Sequence, residues 1–207
     1  MKRLIVVGAG GHGAVVAEAA AAGAHWAEIQ FLDDDAADRA TLEFPLAGNV
    51  ARLTELADER TEFIVALGNN RNRLALSDAI CDDGLTLATV IHPSAVISAS
   101  VEIGSGTVAC AGAIVNARAK IGRACILNSA ATVDHDCVLA AGVHISPGAH
   151  LAGNVSVGEC AWVGIGTAVR EGIQIGADAI IGVGSAVVSD VGRGETVVGV
   201  PARRMET

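Results

Sequence analysis

Residues 145–187 read ISPGAH LAGNVS VGECAW VGIGTA VREGIQ IGADAI IGVGSA V, and each block of six opens on an aliphatic residue. The same step carried back to Ile91 meets Ile97, Ile103, Ala109, Val115, Ile121, Leu127, Val133 and Leu139, so seventeen successive positions are aliphatic. A second phase, four residues later, is mostly small, as at Ala95, Thr107, Ala113, Cys125, Ala131, Cys137 and Ala149. A period of six fits neither the 3.6 of a helix nor the simple alternation of a strand. It fits short strands joined by tight corners, each returning one aliphatic knob to a shared interior. Three hexads then make one triangular coil, so residues 18 apart stack. Nearly six coils at roughly 4.8 Å each give a prism roughly 27 Å tall. Glycine often follows the aliphatic position, as at Gly104, Gly122, Gly158 and Gly176, where it is expected to relieve the corner dihedrals. A generic β-sandwich would not hold one phase for about 100 residues.

The composition suits such an interior. Of 207 residues, 51 % are hydrophobic but only 2 % aromatic, so the core must be built from Ala, Val, Ile and Leu. The net charge is −9; a cut near residue 88 leaves 7 basic and 14 acidic residues before it, then 7 and 9 after. Neither half carries the basic surplus of a nucleic-acid binder, and stacking aromatics are nearly absent. No apolar run approaches the ~18 residues of a membrane span, and the opening MKRLIVVGAGGHG is too short in its apolar part for a signal peptide. Five cysteines, at 81, 110, 125, 137 and 160, form no C-x-x-C pair, so no disulfide framework and no metal site is expected. The expectation is a cytoplasmic protein.

The first half has a different rhythm. Residues 3–7 read as a buried strand, Gly8-Ala9-Gly10-Gly11-His12-Gly13 as a turn, and 14–22 as an Ala-rich helix. Strands over about 28–32 and 62–67 and a helix over 71–82 follow, an alternation that predicts a small parallel α/β domain. The glycines at 8, 10 and 13 satisfy G-x-G-x-x-G, which lets backbone amides approach a diphosphate at a helix N-terminus. About 88 residues supply only one mononucleotide-binding half, which weighs against a nicotinamide cofactor. A nucleotide-linked sugar carries the same diphosphate, and a turn used for packing alone is the other reading.

The hexads resemble the hexapeptide-repeat acyltransferases. With the Gly-Gly-His turn, the strand ending Leu32-Asp33-Asp34, the Gly68-Asn69-Asn70 segment and Asp134-His135-Asp136, the whole chain resembles the NeuD/PglD-like group, especially PglD-type N-acetyltransferases of UDP-4-amino sugars. The resemblance implies an α/β Rossmann-like half-domain over 1–88 for the nucleotide sugar. A left-handed parallel β-helix over 89–194 would bind acetyl-CoA, and 195–207 would be a C-terminal cap segment. It implies a homotrimer with acetyl-CoA in the groove between neighbouring prisms. On matching positions, Gly10, Gly11 and His12 would hold the diphosphate, Asp33 and Asp34 the base or ribose, and Gly68, Asn69 and Arg71 would complete the pocket. The resemblance implies an acidic residue where this chain has Arg71.

Acetyl transfer needs a base for the attacking amine or hydroxyl, and neutral imidazole suits the task. The resemblance gives that role to His135, paired with Asp136, with Asp134 as a competing partner. Neighbours on a strand point to opposite faces, so the pairing requires a corner. His144 is implied to meet acetyl-CoA near its thioester carbonyl, where it could aid an oxyanion. Gly153, Ile165 and Val183 would touch the pantetheine arm, and Arg203, with Arg170 and Arg204, the phosphates. Cys125 and Cys137 fall in the small inward phase, which favours direct transfer in a ternary complex over a covalent acyl-enzyme. The expected activity is N-acetylation of a nucleotide-activated amino-deoxy sugar, at C4. The alternatives are a sialic-acid-type sugar O-acetyltransferase and a non-catalytic nucleotide-binding trimer; a zinc lyase would need three convergent histidines.

Overall fold

The computed structural model describes residues 2–35 and 43–205. Its first part is a four-stranded parallel sheet in the order β3-β2-β1-β4, from β1 (Lys2–Val7), β2 (Trp26–Leu32), β3 (Leu46–Gly48) and β4 (Thr61–Val65). Two helices accompany it, α1 (Gly11–Gly23) and α2 (Asn70–Asp82). Side chains alternate across β1, so Leu4 and Val6 enter one core while Ile5 and Val7 enter another. Both faces are covered, which is why the strand reads as an unbroken apolar run. Helix α1 is rich in alanine because it is squeezed on two sides: Val16, Ala17 and Ala20 share a core with the sheet and with Val90, Val108 and Ile126 of the second part.

From Val90 the chain forms seventeen two-residue strands, β5 (Val90–Ile91) through β21 (Ala186–Val187), one per hexad. From β5 to the strand at Ala168–Val169, each pairs in parallel with the strand 18 residues on, as Ile126 with His144 and Thr132 with His150. Three sheets result. One carries β11 (Ile126–Leu127) and β14 (His144–Ile145), another β12 (Thr132–Val133), the third β13 (Val138–Leu139). The expected knobs fill the interior, from Ala109 and Val115 to Ile181 and Val187. The cap adds β22 (Thr196–Val198) and β23 (Arg203–Arg204), which pair antiparallel.

The glycines after the knobs have a different purpose from the one expected. The left-handed corner residue falls two positions later, at 106, 112, 118 and on by sixes to 184, and half of these residues are not glycine. Gly104, Gly122, Gly158 and Gly176 do not take that conformation. A Cβ on Gly158 would lie 2.3 Å from the Ala177 nitrogen, and one on Gly176 2.4 Å from that of Arg193. They are glycines so that one coil can lie directly on the next.

The small inward phase satisfies carbonyls. Thr107 Oγ1 donates to Gly122 O at 2.9 Å, and Cys125 and Cys137 point their thiols at Ala140 O and Ala152 O, each at 3.2 Å. Burial pushes the Cys110 and Cys125 thiols up to about 11 and raises Cys137 and Cys160. Thiolates, the nucleophilic form, are therefore scarce there near neutral pH.

Candidate active site

The corner after β12 holds Asp134-His135-Asp136. Asp136 takes φ 60°, and this left-handed turn swings its carboxylate back beside its neighbour. His135 Nδ1 meets Asp136 Oδ2 at 2.8 Å, while Arg118, one coil earlier, donates to both oxygens of Asp136 at 2.7 and 2.8 Å. Arg118 first and His135 second hold the Asp136 carboxyl far below the usual carboxylate range. Asp134 instead accepts from the His135 backbone N–H at 2.7 Å and from Asn116 at 2.9 Å. Asp136 is thus the partner of the ring and Asp134 that of the backbone. An ionised Asp136 fixes the proton on Nδ1 and leaves Nε2 with its lone pair, the arrangement a general base needs. The side chain is 54 % exposed.

Gly153 lies one coil above. A Cβ there would sit 2.5 Å from His135 Cε1 and 2.6 Å from Nε2, so the glycine is the floor on which the ring rests. Within one chain it lies on a different edge from Ile165 and Val183. Those two, with Asn128, His144, Ser146, Trp162 and Ile180, line an apolar cleft of about 400 Å³ on another edge.

His144 is the polar group of that cleft. Its ring stacks on Trp162 at 5.5 Å and 13°, and Trp162 Nε1 donates to Ser146 Oγ at 2.7 Å. His144 Nε2 lies 3.1 Å from Asn128 Nδ2, a donor, so the ring proton belongs on Nδ1, which is buried without a partner. Burial first, then the positive charge of Arg73 and the proximity of His12, lower its pKa to about 3. It is a neutral, preorganised N–H donor.

The glycine turn faces the same region. Gly10 caps α1 without a side-chain bond, and a Cβ on Gly11 would meet open space, so the first amides of the helix are uncovered. Gly8 and Gly13 are needed for packing: a Cβ on Gly13 would lie 2.0 Å from Gly8 O. His12 Nε2 is also buried without a partner, and burial followed by Arg73 lowers its pKa to about 4. The Asp33 carboxylate accepts from the Ala9 N–H at 2.6 Å and the Asp35 N–H at 2.8 Å, which staples β2 to the turn. Asp34 accepts from Val50 N–H at 2.8 Å, Asn69 caps α2 through Asn72 N–H at 3.0 Å, and Arg71 pairs with Asp178 on the prism. A Cβ on Gly68 would meet open space. Arg203 lies in the antiparallel cap, its guanidinium on Ala202 O at 2.8 Å.

Residues 3–80 match the PglD N-terminal domain family. Over 99 % of both chains the structure matches the acetyltransferase domain of PglB from Neisseria gonorrhoeae in complex with acetyl coenzyme A, at 44 % identity and a TM-score of 0.96. The chain belongs to the PglD-like family of hexapeptide-repeat acetyltransferases. It is also similar to PerB from Caulobacter crescentus, solved with CoA and GDP-perosamine, at 41 % identity and a TM-score of 0.90 over 100 % of this chain and 98 % of that one. The UDP-N-acetylbacillosamine N-acetyltransferase of Bacillus subtilis is 40 % identical over 110 residues, 52 % of this chain. The chain spans about half, 51 %, of that relative's length. The α/β half-domain followed by the left-handed parallel β-helix is the architecture shared with these PglD-like structures.

Within this PglD-like chain, His135 and His144 do not meet. His135 projects from the corner between the sheets of β12 and β13, while His144 lies on the third sheet, the face opposite that corner of the triangle. Arg118, Asn116 and Trp162 were missed from sequence although each is 18 residues from a residue singled out there, Asp136, Asp134 and His144. Among the described residues no helix is long and apolar enough to cross a membrane, and no three His, Cys, Asp or Glu side chains are grouped to hold a metal.

Proposed function

We propose that the protein is an acetyl-CoA-dependent N-acetyltransferase that acylates the C4 amino group of a nucleotide-activated amino-deoxy sugar. The observation that carries this reading is the relay Arg118–Asp136–His135, which engages the imidazole through Nδ1 and leaves Nε2 to take a proton. Gly10 and Gly11 receive the diphosphate on the open amides of α1, with His12 beside it. The apolar cleft at Ile165 and Val183 takes the pantetheine arm, and Arg203, with Arg170 and Arg204, offers positive charge to the phosphates. His135 Nε2 removes a proton from the amine as nitrogen bonds to the thioester carbonyl carbon. His144, kept neutral by burial, lines the cleft where the thioester is held. The C–S bond then breaks, and the proton leaves with the coenzyme thiol. The PerB and PglB complexes support the choice of donor and the class of acceptor.

The donor cleft and the base belong to different copies, because one prism holds His135 and His144 on opposite sides. A homotrimer supplies both walls, and the exposed Val96, Ile114, Trp162, Ile165, Ile180 and Val183 are the kind of apolar surface a neighbour covers. Thiol release with UDP- and GDP-linked 4-amino sugars tests the activity. Turnover abolished by His135→Ala is expected; inertness toward every such sugar, or full rate in the variant, overturns it. Turnover confined to sugar hydroxyls would assign an O-acetyltransferase instead.

A further inference from the structure

Arg73 is 1 % exposed, burial pulls its pKa down only to about 10, and it forms no ion pair among the described residues. A buried cation without a counter-ion is costly. The guanidinium is instead spent on neutral oxygens. Nε donates to Ala124 O at 2.8 Å and Nη2 to Gly142 O at 2.7 Å, two positions one coil apart on the same prism corner. Nη1 donates to Leu67 O and Nη2 also to Asn70 Oδ1, both at 3.0 Å. Asn70 then donates to Cys160 O at 3.0 Å and Ala161 O at 3.2 Å, on the next coil. The first turn of α2 therefore grips three successive coils. Gly142 is crowded too: a Cβ there would lie 2.9 Å from Cys160 Sγ and 3.3 Å from Leu74.

Two well-packed apolar surfaces would hold the domains together without that cost, since replacing buried ionic groups by apolar ones is often neutral or stabilising. What the fork adds is registry: carbonyls at fixed heights on the prism can be satisfied by one placement of the helix. Leu67 O, the fourth acceptor, opens the Gly68-Asn69 loop, and the unpartnered nitrogens of His12 and His144 lie in the field of the same cation.

We infer that Arg73 is a positioning residue for the transfer: its bonds to successive coils fix the glycine turn over the His144 face, so that acceptor and donor arrive in one register. This rests on the acetyl-transfer reading above. The test compares wild type with Arg73→Gln, Arg73→Lys and Asn70→Ala, each assayed well below its melting temperature. Displacements on the order of 1 Å cost about 100-fold in rate. Arg73→Gln is accordingly expected to lower kcat roughly 10- to 100-fold, while separately measured affinities for UDP or GDP and for CoA stay within about threefold. Asn70→Ala, which leaves the cation in place, is expected to fall in the same direction by less. Hydrogen exchange should quicken at residues 8–13 in Arg73→Gln with the prism coils still protected. If Arg73→Gln does not fold, Arg73→Lys and Asn70→Ala give the same readouts. Folded variants that lose only thermal stability and keep kcat, or that lose both binary affinities along with it, overturn the inference alone. A wild type inert on every nucleotide sugar overturns the acetyl-transfer reading and the role of Arg73 with it.

Discussion

Arg118 and Asp136, residues one coil apart on the same corner, share two parallel hydrogen bonds of 2.7 and 2.8 Å, and the second oxygen also meets His135 Nδ1 at 2.8 Å. The guanidinium thereby decides how an imidazole two bonds away is aimed. Arg118→Gln is expected to release the Asp136 carboxyl back toward ordinary carboxylate behaviour and loosen the ring. A loss of roughly 10-fold in kcat with an unchanged KM for acetyl-CoA would follow, smaller than the roughly 100- to 10,000-fold expected of His135→Ala. Steady-state kinetics across pH 5 to 9 checks both, and an Arg118→Gln profile identical to wild type would remove the arginine from the relay.

Gly153 gives a sharper test of geometry. Its missing side chain is the space in which His135 lies, with 2.5 Å between an added Cβ and Cε1. Gly153→Ala should displace the ring and reduce kcat by about 100-fold, with a much smaller change in CoA affinity, because the ring and not the coenzyme occupies the space the new methyl would take. Calorimetric titration of CoA separates this from a role in binding the pantetheine arm: weakened CoA binding with intact kcat would restore that role.

The buried histidines make stability depend on pH. His144 titrates at about 3 and His12 at about 4 in the fold, against an ordinary 6.5. Between those values the unfolded chain binds protons that the folded chain does not. Their contribution is complete above about pH 6.5 and is lost as pH falls toward 4 and then 3, by at most about 1.4 kcal/mol per pH unit for each ring. Urea melts at pH 7 and pH 5 should show lower stability at pH 5, and His144→Gln should shrink the difference. Equal melts at both values would contradict the burial of these rings.

What the sequence could disclose was what the coil repeats. One side chain in six faces inward in every coil, so aliphatic identity alone announced the prism, and stacking by 18 already held the pairs Arg118 with Asp136 and His144 with Trp162. The corner glycines were misread because two demands, a left-handed dihedral and a close coil contact, both select glycine; the structure separates them at Gly104 and Gly106. β3 left no signal, since Leu46–Gly48 is too short to show alternation. Nothing in the sequence reveals that the Ala9 amide, 24 residues away, donates to Asp33. The grip of Arg73 was equally hidden. Its partners are backbone carbonyls, which every residue carries.

The opposition of His135 and His144 across one prism leads to a complementation experiment. His135→Ala and His144→Ala chains are each expected to assemble into inactive trimers. Mixed trimers, formed by coexpression with different tags and purified through both, differ. Wherever a chain with intact His135 faces one with intact His144, a complete site reappears. In every mixed trimer exactly one of the three interfaces has that pairing, so turnover near a third of wild type is expected. A site contained in a single chain can never be rebuilt this way, because every chain in the mixture lacks one of the two rings. Turnover no higher than that of the separate variants would therefore overturn the division of the site between copies.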